Sequence, residues 1–332
     1  MTPFHELSPT AKLRRLRILA DRALAEYGLD RPTVDFHGFE TNLLYRVRTA
    51  TGRRYMLRLA SPGWRTHDDL RSEALWLEAL ARDTTIDAPR VIPTRDGRFV
   101  PYVSVPEVPI PWNVSLMTWV PGRLLGHYLT ARNLERMGAL FPELHSHAAS
   151  WEPPADFTTR RFEHWLSRGE PNLLVGEASD GLSSADTRRT LERLHRHVED
   201  AYAAIDRADL RVIHCDLWHD NIKLHDGRLR PFDFEDTVLG FRIHDIAMAM
   251  LDLVESTDDD RYRDLLAAFR SGYEAWLPWP DEGLEPFQIG RLLWKLNWIA
   301  GNQPQWLGAA VEQHLPLFET YERTGRLGKP PA

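Results

Sequence analysis

The sequence predicts an α+β fold in two lobes, a small antiparallel-sheet N-lobe followed by a larger helical C-lobe. Three observations predict it. Before residue 121 the chain carries short alternating apolar runs split by Gly-containing turns, the pattern of hairpins. After it, apolar residues recur at helical spacing. Between the two, Pro121-Gly122 ends a strand and marks the change. The expected lobes are residues 1–120 and 121–332.

Each element has its own signal. Residues 8–27 read as a helix: Ser8 caps it, Pro9 suits the first turn, and Leu13, Leu16, Leu19, Ala20 and Leu24 share one stripe. Leu43, Tyr45 and Val47 alternate, the turn Thr51-Gly52 follows, and Tyr55 to Leu59 alternates again, which makes an antiparallel hairpin. Residues 66–83 have helical period. Val91 to Pro93, the turn Asp96-Gly97 and Phe99 to Ser104 suggest a second hairpin, and Val114 to Val120 a further strand. The stretch VPEVPIPW at 105–112 is a loop, since a strand follows it at once.

Beyond Gly122, helical patterns cover 130–149, 158–168 and 185–206. Short strands interrupt them at Val212-Ile213, Ile222 to Leu224 and Leu229 to Phe232, the last two joined by Asp226-Gly227. Helices resume at 241–255, 258–276, 284–299 and 306–323. There is no internal repeat and no low-complexity tract.

Composition narrows the class. The chain has 332 residues, 43% hydrophobic and 27% charged, enough for a sizeable core. A formal net charge of -7 argues against a dedicated nucleic-acid binder. Cys215 is the only cysteine, so no intrachain disulfide forms, which fits a reducing compartment. The N-terminal stretch is charged where a signal peptide needs an apolar run. No apolar segment approaches the roughly 18 residues of a membrane span. The expectation is a cytoplasmic enzyme with neither a nucleic-acid nor a membrane partner.

One constellation carries chemistry. HCDLWHDN places His214, Asp216 and Asn221 in a loop after a short strand, and DFED places Asp233 just after the following hairpin. Phosphoryl transfer needs one carboxylate against the attacking hydroxyl, and oxygen ligands that hold Mg²⁺ against the phosphates. An Asn and an Asp supply hard oxygens of the kind Mg²⁺ prefers.

His-x-Asp-x-x-x-x-Asn followed by Asp-Phe-x-Asp resembles the aminoglycoside phosphotransferase and choline kinase superfamily, and within it the homoserine kinase and stress-response kinase branch. The likeness runs from about Leu13 to the last helices. It implies a protein-kinase-like fold that binds ATP and Mg²⁺ between the lobes. It implies Asp216 as catalytic base, Asn221 and Asp233 as metal ligands, and His214 as a brace for the catalytic loop. Asp245 would cap its helix and bond back to that loop. Cys215 stands where the family usually has Gly, which implies a backbone there outside the Gly-only range.

The small lobe adds a second group. Glu73 falls inside the apolar stripe of helix 66–83, where a lone carboxylate is costly. Arg58, which shares a strand face with Met56, can pair with Glu73. Kinase-like folds use a strand Lys in this way to touch the phosphates, and here the matching residue is Arg58. By the same resemblance Met56 covers the adenine, and the hinge strand with Met117 and Trp119 meets it from the backbone. VDFHGFETNL at 34–43 would cover the phosphates with one Gly, and there Thr41 and Asn42 offer side-chain donors.

The acceptor is expected to be a small hydroxyl compound bearing an amine, of the homoserine or amino alcohol type. Glu235, Asp236 and Trp218 are its candidate contacts, because acid and aromatic groups together attract an ammonium. Trp276, Trp279, Trp294 and Trp298 are read chiefly as core. The competing readings are a Ser/Thr protein kinase, a non-catalytic ATP-binding pseudokinase, and a metallohydrolase built on the His-Asp pairs such as His219-Asp220 and His244-Asp245.

Overall fold

The computed structural model describes residues 3–167, 169–175, 184–280 and 283–327. The chain divides into two units: Met1–Pro121 with Glu152–Thr158, and Gly122–Trp151 with Thr159–Ala332. The mixed fold is as predicted, with an antiparallel sheet in the first unit and helices dominating the second.

In the first unit, helix α1 (Pro9–Leu24) begins where the Ser8 side chain accepts the Ala11 N–H. The strands are β1 (Thr33–Phe39), β2 (Leu43–Arg48), β3 (Arg54–Ala60), β4 (Val91–Ile92), β5 (Tyr102–Val103) and β6 (Trp112–Thr118). Their order is β1-β2-β3-β6-β4, with β5 also on β6. One sheet face, with Leu43, Tyr45, Val47, Leu57 and Leu59, packs on Leu16, Leu19 and Ala23 of α1. Helix α2 (His67–Asp83) starts at a capping box in which Thr66 and Asp69 satisfy each other's backbone N–H. Glu152–Thr158 is tied to α2, where Ser72 Oγ donates to the Thr158 carbonyl at 2.9 Å and Arg71 pairs with Asp156.

Two expectations for this unit fail. β1 stands where the sequence reads as a phosphate-covering loop, and only Val34 of its residues is buried. An edge strand wet on both faces shows no alternation. Its register also shifts between Phe36 and Gly38. The second hairpin does not form: the turn at Asp96-Gly97 closes, with Gly97 N–H on Thr94 O at 2.9 Å, but β4 and β5 each pair with β6.

In the second unit the helices are α3 (Ala131–Ser150), α4 (Ala185–Ala204), α5 (Arg242–Ser256), α6 (Asp259–Glu274), α7 (Glu285–Asn302) and α8 (Leu307–Thr324). α5 is apolar almost all round and buried along most of its length, as a central helix must be. α3 and α6 pack backbone to backbone. A Cβ on Gly138 would stand 1.9 Å from Phe269 O, and one on Gly272 1.8 Å from Glu135 O. β7 (Arg123–Leu124), β9 (Ile222–His225) and β10 (Arg228–Pro231) form one small sheet; β8 (Arg211–Ile213) pairs with β11 (Val238–Gly240). Asp226 and Gly227 both have positive φ, 48° and 71°, which suits the tight β9–β10 turn.

The expected helix at 158–168 is absent over 158–167, and residue 168 lies outside the described residues. Its backbone is used otherwise: Phe162 N–H donates to Leu239 O at 2.6 Å, and Leu239 N–H to Arg160 O at 2.8 Å. Trp276 and Trp298 are not core, being 74% and 38% exposed. Among the described residues, no helix is long and apolar enough to cross a membrane.

Candidate active site

The loop after β8 is held from inside. His214 is fully buried; its Nδ1 accepts the Asp216 N–H at 3.3 Å and its Nε2–H donates to Phe232 O at 3.1 Å. These bonds fix the neutral tautomer, and burial lowers the imidazole pKa. His214 therefore ties Asp216 to the strand end that precedes Asp233.

Cys215 has φ 68°, so the expectation of an ordinary backbone there is wrong. The left-handed conformation costs a non-Gly residue about 1–2 kcal/mol. Asp245 offsets it. Its Oδ1 accepts the Cys215 N–H at 2.7 Å and its Oδ2 accepts from His145 Nε2 at 3.1 Å. Burial alone would raise the Asp245 pKa. The hydrogen bonds from His145 and from the Cys215 amide outweigh it and hold the carboxyl below its usual range. Asp245 lies inside the first turn of α5 and does not cap it; the N-cap position is Phe241. The bond back to the loop is its role. Burial pushes the Cys215 thiol up, so it stays protonated.

Asn221 uses both amide hydrogens on Asp216, at 2.8 Å to the backbone oxygen and 3.0 Å to Oδ2. Phe232 N–H donates to Asn221 O at 2.9 Å, so the β9–β10 hairpin brings Asp233 to the same end as Asn221. Asp233 itself is left-handed, with φ 64° and ψ 59°. Burial pushes the Asp216 carboxyl up to about 7, with Arg291 opposing and Asp236 adding to the rise. Gly126 keeps the turn after β7 close, since a Cβ there would stand 2.2 Å from Asp220 Oδ1 and 2.7 Å from His219 Nδ1.

The other predicted group lies in the first unit. Arg58 and Glu73 form a two-fork ion pair, with Nη1 donating to Oε1 at 3.1 Å and Nη2 to Oε2, and their side chains are 7% and 1% exposed. Ser115 sits opposite Arg58 on β6, and Met117 sits opposite Met56. Asn42 is buried, and its Oδ1 accepts the Ser61 N–H at 3.2 Å, so that oxygen serves the turn. Trp119 donates its N–H to Arg54 O at 3.1 Å, and its ring has Arg46 over it at 5.1 Å and Arg54 at 5.9 Å.

Among the described residues, no group of three or more His, Cys, Asp or Glu is placed to hold a metal ion. The model of the phosphotransferase enzyme family (APH) matches residues 35–279. The chain belongs to this family. It is a phosphotransferase with an alcohol group as acceptor. No curated protein matches it. Among solved structures it is similar to the microcompartment-associated aminopropanol kinase, at 21% identity and TM-score 0.75, over 94% of this chain and 99% of that one. It is also similar to an amicoumacin kinase in complex with AMP-PNP, Ca²⁺ and Ami, at 16% identity and TM-score 0.77, over 98% of each chain. A choline/ethanolamine kinase family protein from Mesorhizobium loti shares 16% identity at TM-score 0.60, over 94% of this chain and 95% of that one. Identities this low speak for the kinase-like fold.

The remaining side of the phosphotransferase's catalytic loop differs from expectation. Glu235 is buried, and Asp236 faces Arg160 at 3.8 Å. Trp218 is half-buried with its ring 4.9 Å from that of His219. Two residues of α7 were not anticipated in these roles: Arg291, whose Nη2 lies 3.6 Å from Asp216 Oδ1, and Trp294, under Arg291 at 4.5 Å. Asp252 of α5 is a third. Burial raises its pKa, with Glu255 adding and His219 and Arg291 opposing.

Proposed function

We propose that this phosphotransferase moves the γ-phosphate of ATP, with Mg²⁺, to the hydroxyl of a small amine-bearing acceptor. The observation that carries it is the use of Asn221. Its Nδ2 serves Asp216 at two oxygens, which leaves Oδ1 as a hard oxygen at the hairpin end where the chain continues to Asp233. An amide oxygen with a carboxylate suits Mg²⁺. Bound there, Mg²⁺ would neutralise charge on the phosphates.

The chain's own residues do the rest. Asp216 orients the acceptor hydroxyl and takes its proton. Asn221 holds that carboxylate still, and His214 and Asp245 hold the loop. Arg58, fixed by Glu73, presents guanidinium donors to phosphate oxygens. Asp252 makes no hydrogen bond or ion pair through its carboxylate among the described residues, and its charge acts on Asp216, so it is the acid we assign to an ammonium. The name of the aminopropanol kinase neighbour supports an amine-bearing acceptor.

Thermal unfolding with and without Mg·ATP tests the nucleotide part. A ligand at 100 times its Kd raises native stability by about 2.7 kcal/mol. The expected result is a higher Tm that needs both metal and nucleotide. No shift at millimolar Mg·ATP, with no heat of binding, contradicts the proposal.

A further inference from the structure

A small pocket opens beside the catalytic loop, walled by Phe162, Cys215 and Trp294 and edged by Arg160, Asp236 and Arg291. Its rim carries two guanidiniums and one carboxylate. Arg160 lies 3.8 Å from Asp236, so those two charges offset each other. Arg291 is different. It lies over the Trp294 ring at 4.5 Å, its side chain is 33% exposed, and it makes no hydrogen bond among the described residues. Its nearest carboxylate oxygen, on Asp216, is 3.6 Å away, beyond hydrogen-bond length.

A guanidinium held flat on an indole ring, partly exposed at a pocket rim and without a hydrogen bond of its own, is placed to take an anionic group from a bound molecule. We infer that Arg291 grips a carboxylate on the acceptor, so that the acceptor is a short hydroxy amino acid and not an amino alcohol. This rests on the function proposed above and names the acceptor class of the same site.

The geometry limits its length. The acceptor hydroxyl must come within about 2.8 Å of Asp216, and the carboxylate within about 2.9 Å of the guanidinium. With those two protein groups 3.6 Å apart, the acceptor's hydroxyl and carboxylate oxygens stand at most roughly 9 Å from each other, which a short hydroxy acid meets without strain. Contact with Trp294 holds the guanidinium plane, and a planar fork matches a carboxylate bidentately. Asp252, which acts electrostatically on both Asp216 and Arg291, would take the amine of the same molecule.

Arg291 could instead touch the phosphoryl group in flight, and kinetics separate the two roles. ADP release is measured with matched acceptors that differ only by the carboxylate: L-serine and ethanolamine, L-threonine and 1-aminopropan-2-ol, L-homoserine and 3-aminopropan-1-ol. The wild type, Arg291→Gln and Arg291→Lys are compared, with Tm as the check on folding. The expected result is that the acid of at least one pair is preferred by about tenfold or more in kcat/KM. Arg291→Gln should raise KM for that acid by a similar factor and leave the KM of its amine counterpart nearly unchanged, with Arg291→Lys in between, while any effect on kcat through Asp216 is common to both acceptors. Equal or better turnover of the amino alcohols overturns the inference, and the wild type alone decides this if a variant fails to fold. So does an Arg291→Gln variant that loses kcat equally for both members of a pair and leaves the KM of the acid unchanged, which would take Arg291 off the acceptor carboxylate. ADP release only with other acceptors that lack a carboxylate overturns it while the proposed function stands. No Mg·ATP-dependent ADP release with any acceptor takes down both.

Discussion

The Asp245 carboxylate accepts the Cys215 amide at 2.7 Å and the His145 imidazole at 3.1 Å, with the Asp245 and His145 side chains fully buried. One carboxylate thus holds a left-handed turn one residue before Asp216. Asp245→Asn keeps the shape but replaces one acceptor oxygen by an NH₂ group, so one of the two donors loses its partner. Leaving a buried donor unsatisfied costs about 1–3 kcal/mol. The expected outcome is a Tm lower by several degrees together with a loss of turnover, read by calorimetry and ADP release. An unchanged Tm would show that the turn holds itself.

Arg58 and Glu73 should behave as a coupled pair. Arg58→Ala leaves Glu73 buried and charged, at a cost of about 3–5 kcal/mol. Adding Glu73→Ala should recover part of that loss. Contacting residues show coupling of about 0.5–3 kcal/mol in a double-mutant cycle, measured by denaturant unfolding. Strict additivity would mean the two side chains act separately. Arg58→Lys should fold better than Arg58→Ala but lose the two-fork geometry.

Acid should destabilise the protein through its buried imidazoles. Burial lowers the pKa of His145 and His214, and that of His244 falls to about 3. The folded values lie below the unfolded one of about 6.5, so the unfolded chain binds more protons between them. Stability is therefore full above about pH 6.5 and falls as pH drops toward the folded values, by about 1.4 kcal/mol per pH unit for each histidine. His244→Gln, which can keep a bond to Tyr202, should show a shallower fall of Tm between pH 6.5 and pH 4. An identical slope in both proteins would exclude His244 as a source.

Asp233 is predicted to hold metal, while Asp216 meets the acceptor. Asp233→Ala should abolish the Mg²⁺-dependent part of ATP binding, measured by titration calorimetry. Asp216→Asn should bind Mg·ATP within about twofold of wild type, because it removes a group that acts only on the hydroxyl. Equal binding losses in both variants would contradict this division of roles.

How much of this was legible in the sequence depends on range. The loop from His214 to Asn221 and the hairpin to Asp233 are local, so spacing alone brings them together. Glu73 stood out because an acid inside an apolar stripe demands a partner, and Arg58 was the base on the facing strand. Strand β1 was hidden because an edge strand wet on both faces has no alternation. The segment at 158–167 has helical spacing, but its backbone bonds to Leu239, far along the chain, and no local signal reports that. Arg291 meets Asp216 only through tertiary packing of α7, so neither residue announces the other. The αL backbone at Cys215 was unforeseen for the same reason: Asp245, a distant residue, stabilises it.

Asp216 as the residue that takes the acceptor proton is tested most directly by Mg·ATP-dependent ADP release in wild type and Asp216→Asn, with the amino acid and amino alcohol pairs as acceptors. The wild type should release ADP with at least one of them. The variant, folded and still binding nucleotide, should lose at least about a hundredfold in kcat, the usual scale of a missing general base. Near-normal kcat in Asp216→Asn with the best acceptor would contradict the role of Asp216, and no ADP release from the wild type with any acceptor would contradict the proposed transfer itself.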